Sequence, residues 1–157
     1  MFENPTRFTV TKGIGLSEIS FMNAFDNAMI DAGIGDINLV KVSSVLPPDI
    51  EKIDTIPHDI GEFLPGVIAV STGSGKELSA GIAYTFRKDG KGGYVAEHTA
   101  NQDEIDDEKF VKDLIYKTKE MGLARKVKLE EPHLTKTKVK VKKNKYGCAL
   151  TVLVYFE

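Results

Sequence analysis

The chain has no tryptophan and a single cysteine, Cys148, in 157 residues. Without a second cysteine, an internal disulfide and a multi-cysteine metal site are both excluded. Without tryptophan, no indole is available for stacking or anchoring. An excess of one charge is also lacking. Lys and Arg number 21 and Asp and Glu 23, a formal net charge of −2, so no global field draws the chain to nucleic acid or an anionic membrane. No apolar run approaches the roughly 18 residues that span a bilayer. The opening MFENPTRFTV has no cationic start followed by an apolar block, so a secretory leader is not expected and a cytoplasmic setting is. His58, His98 and His133 lie far apart, none at metal-ligand spacing with Cys, Asp or Glu, so no metal is expected.

What is present suits a single domain over residues 1–157. Apolar residues make up 41% and charged residues 28%, which is ordinary for a soluble globular chain. A short strand is expected at 8–11, followed by a turn at Gly13 and Gly15. A helix begins after Ser20, with Phe21, Phe25, Ala28 and Ala32 along one face and Asp26 well round from it. Gly33 and Gly35 stop it. Residues 37–44 read as a strand ending before Pro47-Pro48, and 49–65 as a long loop. Strands are expected at 66–71, 78–86 and 93–98. After the acidic stretch 101–108, Phe110, Val111, Leu114, Ile115 and Thr118 mark a second helix, closed by Gly122. Residues 125–130, 137–143 and 148–156 complete the strands. The expected class is α+β: a layered αββα sandwich of largely antiparallel sheets with a helix covering each.

Three signals point nowhere. Thr72-Gly73-Ser74-Gly75-Lys76-Glu77 resembles part of a phosphate-binding loop, but Val70 stands where the first glycine is needed and Glu77 where Ser or Thr would hold magnesium. It reads as a tight turn between strands. Lys136, Lys138, Lys140 and Lys142 alternate with Thr137, Val139 and Val141, which gives a strand one charged face. No aromatics interleave with these lysines, so a protected edge is favoured over a nucleic-acid surface. Cys148 sits in an apolar strand and reads as an inert core thiol.

One stretch is unusual. In Gly35-Asp36-Ile37-Asn38-Leu39-Val40-Lys41-Val42-Ser43-Ser44-Val45-Leu46-Pro47-Pro48, a strand ends in two serines and then two prolines, which no sheet demands. Taken alone, paired serines there make a hydrogen-bonded turn. The stretch nevertheless closely resembles the self-cleavage segment of the pyruvoyl-dependent arginine decarboxylases. Asn23-Ala24-Phe25-Asp26, Gly93-Tyr94-Val95-Ala96-Glu97 and Gly147-Cys148-Ala149-Leu150 resemble other segments of that family, in the same order.

The resemblance implies a proenzyme cut between Ser43 and Ser44 into a β chain, 1–43, and an α chain, 44–157. Ser44 becomes a covalent pyruvoyl group, with no metal and no pyridoxal phosphate. Ser43 supplies the carbonyl that is attacked, within a backbone expected to be strained and exposed, and Asn38 the amide that holds it. Through a Schiff base, L-arginine loses carbon dioxide and becomes agmatine. Glu97 matches the proton donor, and a carboxyl donating near neutral pH must be shielded from water. Asp26 matches the carboxylate that pairs with the guanidinium. Gly35 and Ile37 are expected to line the pocket through their backbone. The family forms trimers with sites between subunits, so Asp26 and Glu97 are expected to act from different chains. The same chemistry on another amino acid, and an uncleaved assembly subunit, both stay open. So does the fate of agmatine, in polyamine synthesis or in acid resistance.

Overall fold

Along residues 3–157, which the computed structural model describes, the chain forms β1 (Arg7–Ser17), α1 (Phe21–Asp31), β2 (Asn38–Lys41), β3 (Val45–Leu46), β4 (Glu51–Lys52), β5 (Phe63–Gly73), β6 (Glu77–Phe86), β7 (Gly93–Gln102), α2 (Asp107–Arg125), β8 (His133–Lys140) and β9 (Tyr146–Phe156). Met1 and Phe2, the start of the stretch read for a leader, lie outside the described residues. A five-stranded sheet has the order β2-β5-β9-β1-β4 and a four-stranded sheet the order β3-β7-β6-β8. Pairing is antiparallel except between β1 and β4 and between β2 and β5. The sheets pack face to face, with α1 outside the first and α2 outside the second. This is the expected α+β sandwich.

The apolar C-terminal run explains the centre. β9 is buried on both faces from Gly147 onward, because alternate side chains serve two cores. Ala149, Leu153 and Tyr155 point between the sheets with Leu78, Ile82 and Val95. Cys148, Leu150, Val152 and Val154 point under α1 with Ala24, Ala28 and Met29. A buried thiol follows, and burial pushes Cys148 up to about 11.

The structure corrects several element boundaries. β1 runs straight through Gly13 and Gly15, which make no turn. A Cβ at Gly13 would sit 2.0 Å from the Ala28 carbonyl oxygen, and one at Gly15 1.9 Å from that of Ala24. These glycines let α1 rest on the strand backbone itself. Accordingly α1 buries Ala24, Ala28 and Met29, while Phe21 stays exposed. Its N-terminus is capped by Ser20, whose hydroxyl accepts from the Asn23 N–H at 3.1 Å. Gly122 does not end α2 either. The helix continues to Arg125 and closes on Lys126 in the left-handed region, while Gly122 makes room for Leu129. Residues 126–130 therefore form no full strand, only a bridge from Leu129 to Arg87. The loop 49–65 holds the short β4 and the start of β5.

The most consequential correction concerns residues 37–44. They do not form one strand. β2 belongs to the five-stranded sheet and β3 to the four-stranded sheet. The chain changes layers between them, and Ser43-Ser44 is the crossing.

Candidate active site

Both ends of that crossing are tied. Upstream, the Val42 N–H donates to the Gly66 carbonyl of β5 at 3.0 Å. Downstream, the Val95 N–H of β7 donates to the Ser44 carbonyl at 3.0 Å, and Val45 pairs with Tyr94. Ser43 is exposed and Ser44 half-buried. The crossing itself lies outside the left-handed region. Among described non-glycine residues, positive φ occurs at Asp49 (62°), just past the two prolines, and at Lys126 (57°). At the serines φ is not positive and the peptide bonds are not cis; what is irregular is a change of sheet within a few residues.

The shortness of β3 opens a site. Its two residues pair only with Tyr94 and Gly93, so the edge of β7 beyond Val95 lacks a ladder partner from that side. A cavity of about 580 Å³ fills the gap. Its wall includes Ser43, Ser44, Val67, Val95 and Glu97, with Tyr116, Lys117, Glu120 and Met121 from α2. Alternation along β7 explains Glu97: Val95 faces the inter-sheet core and Ala96 faces α2, so Glu97 points to the sandwich interior where that interior opens. Glu97 is half-buried, and the Lys117 ammonium donates to its backbone carbonyl at 2.9 Å. Tyr116 stands beside the Glu120 carboxylate, which pushes its phenol up.

The structure therefore brings together three of the residues singled out in the sequence: Ser43, Ser44 and Glu97. The other four lie along α1 and the segment after it, and none lines this cavity. Asp26 is exposed on α1. Gly35 packs against Ile30, where a Cβ would meet the Ile30 Cγ1 at 2.6 Å. Ile37 is buried in the core beneath α1. Asn38 opens β2, and its side-chain amide donates to the Gly61 carbonyl at 3.0 Å, so within one chain it is engaged away from Ser43. The α2 residues of the wall were not anticipated. Their signal was available: Tyr116, Lys117, Glu120 and Met121 fall at positions i, i+1, i+4 and i+5 of a helix, a mixed polar and apolar face.

The remaining signals resolve structurally. β8 is an edge strand, and Lys136 and Lys138 reach Asp107 at 3.3 Å each, holding that carboxyl below its ordinary value. The turn 73–76 joins β5 to β6 with Gly75 at φ +64°. The His133 ring stacks on Tyr84 at 4.9 Å, and the His98 ring packs on Phe110 at 4.8 Å. No helix among the described residues is long and apolar enough to cross a membrane.

A family model described as pyruvoyl-dependent arginine decarboxylase (PvlArgDC) matches residues 7–157. A Pyrococcus furiosus protein named pyruvoyl-dependent arginine decarboxylase is 34% identical over 139 residues, covering 86% of this chain and 85% of its own. A protein of the same name from Methanothermobacter thermautotrophicus is 32% identical over 138 residues, 87% of each chain. Another from Methanopyrus kandleri reaches 44% identity over 71 residues, 45% of this chain and 47% of its own.

Proposed function

The chain belongs to the pyruvoyl-dependent arginine decarboxylase family, and from that premise we propose that it is a proenzyme that cuts itself between Ser43 and Ser44, then decarboxylates L-arginine to agmatine and carbon dioxide. The observation that carries this reading is the shared cavity. Ser44 and Glu97 line one space of about 580 Å³ at the point where the chain changes sheets.

In self-cleavage the Ser44 Oγ attacks the Ser43 carbonyl carbon. The C–N bond breaks, an ester forms, and the freed Ser44 nitrogen takes up a proton. Loss of the Ser44 α-proton then breaks its Cβ–Oγ bond. Residues 1–43 leave with a C-terminal carboxylate, and a dehydroalanine remains at residue 44. Addition of water and departure of ammonia convert it to a pyruvoyl cap on residues 44–157. The 1–43 chain stays in place because β1 and β2 are paired within the five-stranded sheet.

Ser44 suits the group it is to become, since it is half-buried in the cavity wall with its carbonyl held by the Val95 N–H. That group supplies an electrophilic carbonyl for the substrate's α-amine and a sink for the electrons released with carbon dioxide. Glu97, on the same wall, delivers the proton to the α-carbon. Asp26 pairs with the guanidinium through two parallel hydrogen bonds, as a carboxylate does with a planar fork. In the single chain it lies away from the cavity, so it serves a neighbouring subunit's site in a cytoplasmic trimer. Gly35 and Ile37 border the substrate through their backbone, and Asn38 steadies the Ser43 carbonyl as charge develops on it during self-cleavage.

Intact-mass analysis of the purified chain tests this. The parent should give fragments 1–43 and 44–157, the second labelled by a carbonyl reagent, and Ser44→Ala should give one chain. An intact parent with unmodified Ser44 overturns the reading. Carbon dioxide release across a panel of amino acids tests the substrate, and no preference for arginine removes it.

A further inference from the structure

A further tie holds the crossing, and it comes from the opposite layer. The Tyr155 hydroxyl, on β9 of the five-stranded sheet, donates to the Val45 carbonyl at 3.1 Å. We infer that Tyr155 is a positioning residue for self-cleavage: its hydroxyl fixes the backbone at residue 45 and with it the approach of Ser44 to the Ser43 carbonyl. This rests on the self-cleavage reading above.

Attack of a side-chain oxygen on the preceding carbonyl needs a narrow range of backbone rotation, and each free bond beside Ser44 widens that range. β3 is too short to hold itself. It has two residues, and Val45 is 54% exposed. Tyr155 is mounted on the strand with the firmest surroundings. β9 is paired by β1 along its length, with Tyr155 opposite Phe8, and by β5 up to the neighbouring Val154, and Tyr155 itself is 3% exposed. The Val95 N–H and the Tyr155 hydroxyl thus hold successive carbonyls, at residues 44 and 45, from opposite sheets. A single residue spans the two layers that the crossing joins.

The hydroxyl is not there to complete the core. Tyr155 borders a second cavity, of about 370 Å³, on the other side of the crossing, shared with Val42, Ser43, Val45, Pro47 and Pro65. Ser43 is therefore flanked by both cavities. A phenylalanine would keep the ring packed and lose only the tie. Nor does the phenol serve as the base for Ser44. Burial pushes it up to about 12, so it remains a donor throughout the working range.

The test follows cleavage of freshly synthesised full-length chain by intact mass against time. Tyr155→Phe should cleave about tenfold more slowly than the parent, the loss expected when one oriented contact leaves a transition state. Two variants of equal volume at residue 155 separate the donor from the ring. Para-aminophenylalanine, which restores an N–H, should recover the parent rate, and para-methylphenylalanine should stay slow. Thr151→Val is the control. It removes another buried cross-sheet bond of β9, from Thr151 Oγ1 to the Ala80 carbonyl at 2.9 Å, and should lower Tm without slowing cleavage. Parent-rate cleavage in Tyr155→Phe, or slowing that tracks Tm across all variants, overturns the inference. A parent that never cleaves overturns the self-cleavage reading first, and this one with it.

Discussion

α1 lies on its sheet backbone against backbone, whereas α2 stands off its sheet on side chains. Under α1, Gly13 and Gly15 let the helix carbonyls of Ala28 and Ala24 come within reach of a strand that has no Cβ there. Under α2, the rings and branches of Phe110 and Leu114 fill the space above Gly81, and past the unpaired edge of β7 Tyr116 to Met121 border the cavity of about 580 Å³ that Glu97 lines from the sheet's inner face. Where the backbones touch at Gly13 and Gly15 no space is left between helix and strand, and beside α2 the cavity at Glu97 stays open. Close packing and open space are accordingly separated within one chain. The five-stranded sheet supplies the mounts, β9 and Tyr155 among them, and part of the wall through Lys41 and Val67, while β7 and α2 supply most of the rest. The crossing at Ser43-Ser44 belongs to neither sheet, and ties from both hold the backbone on either side of it.

The change that most sharply challenges this separation is Glu97→Gln. With the proposed role, turnover measured by carbon dioxide release should fall by about 10²–10⁴-fold, the usual range for a lost general acid, while cleavage and fold persist. A variant that fails to fold would mean the open layer carries structural duty after all. Gly15→Val acts on the other half. Its first new atom would lie 1.9 Å from the Ala24 carbonyl oxygen, so helix and strand must part. Overpacking of that kind should cost about 3 kcal/mol, read as a lower urea midpoint at unchanged slope. If that variant is as stable as the parent, the two layers do not differ in tolerance as described.

Much of this contrast was legible in the residues. The apolar weight of the C-terminal run placed β9, Ser20 marked the start of α1, and the Ser-Ser with Pro-Pro marked a strand end that no sheet demands. What escaped has physical reasons. A glycine in a strand pattern signals a turn or a close approach, and only the helix lying over Gly13 and Gly15 decides which. Gly122 posed the same ambiguity inside a helix. Residues 37–44 alternate well enough for one strand, but only 38–41 pair, and alternation does not say where pairing stops or that the next strand, β3, joins the other sheet. Tyr155 was hidden by its surroundings, although a polar-tipped aromatic in an otherwise aliphatic strand is a residue whose hydroxyl needs a partner. Asp26 and Glu97 were singled out by resemblance alone, and a single chain does not bring them to one cavity.

A smaller effect separates the layers by pH. His98, on the α2 face of β7, lies below its ordinary 6.5, chiefly through burial and then the nearby Lys117, with Lys109 adding to this and Asp113 opposing. A histidine lowered on folding resists a proton that the unfolded chain accepts. Above about 6.5 it is neutral in both states and costs nothing. As pH falls below that value, the unfolded chain binds more protons and stability declines until the folded pKa is passed. Urea midpoints taken from pH 7.5 to 5 should therefore fall in the parent and flatten in His98→Gln. The carboxylates of the same layer, Asp107 held low by Lys138 and Lys136 and Asp113 by Lys109, act in the same direction, but only as pH drops through their ordinary 3.8 and below. The two windows do not overlap, so a slope between pH 7.5 and 5 that His98→Gln leaves unchanged would overturn the assignment of this effect to His98.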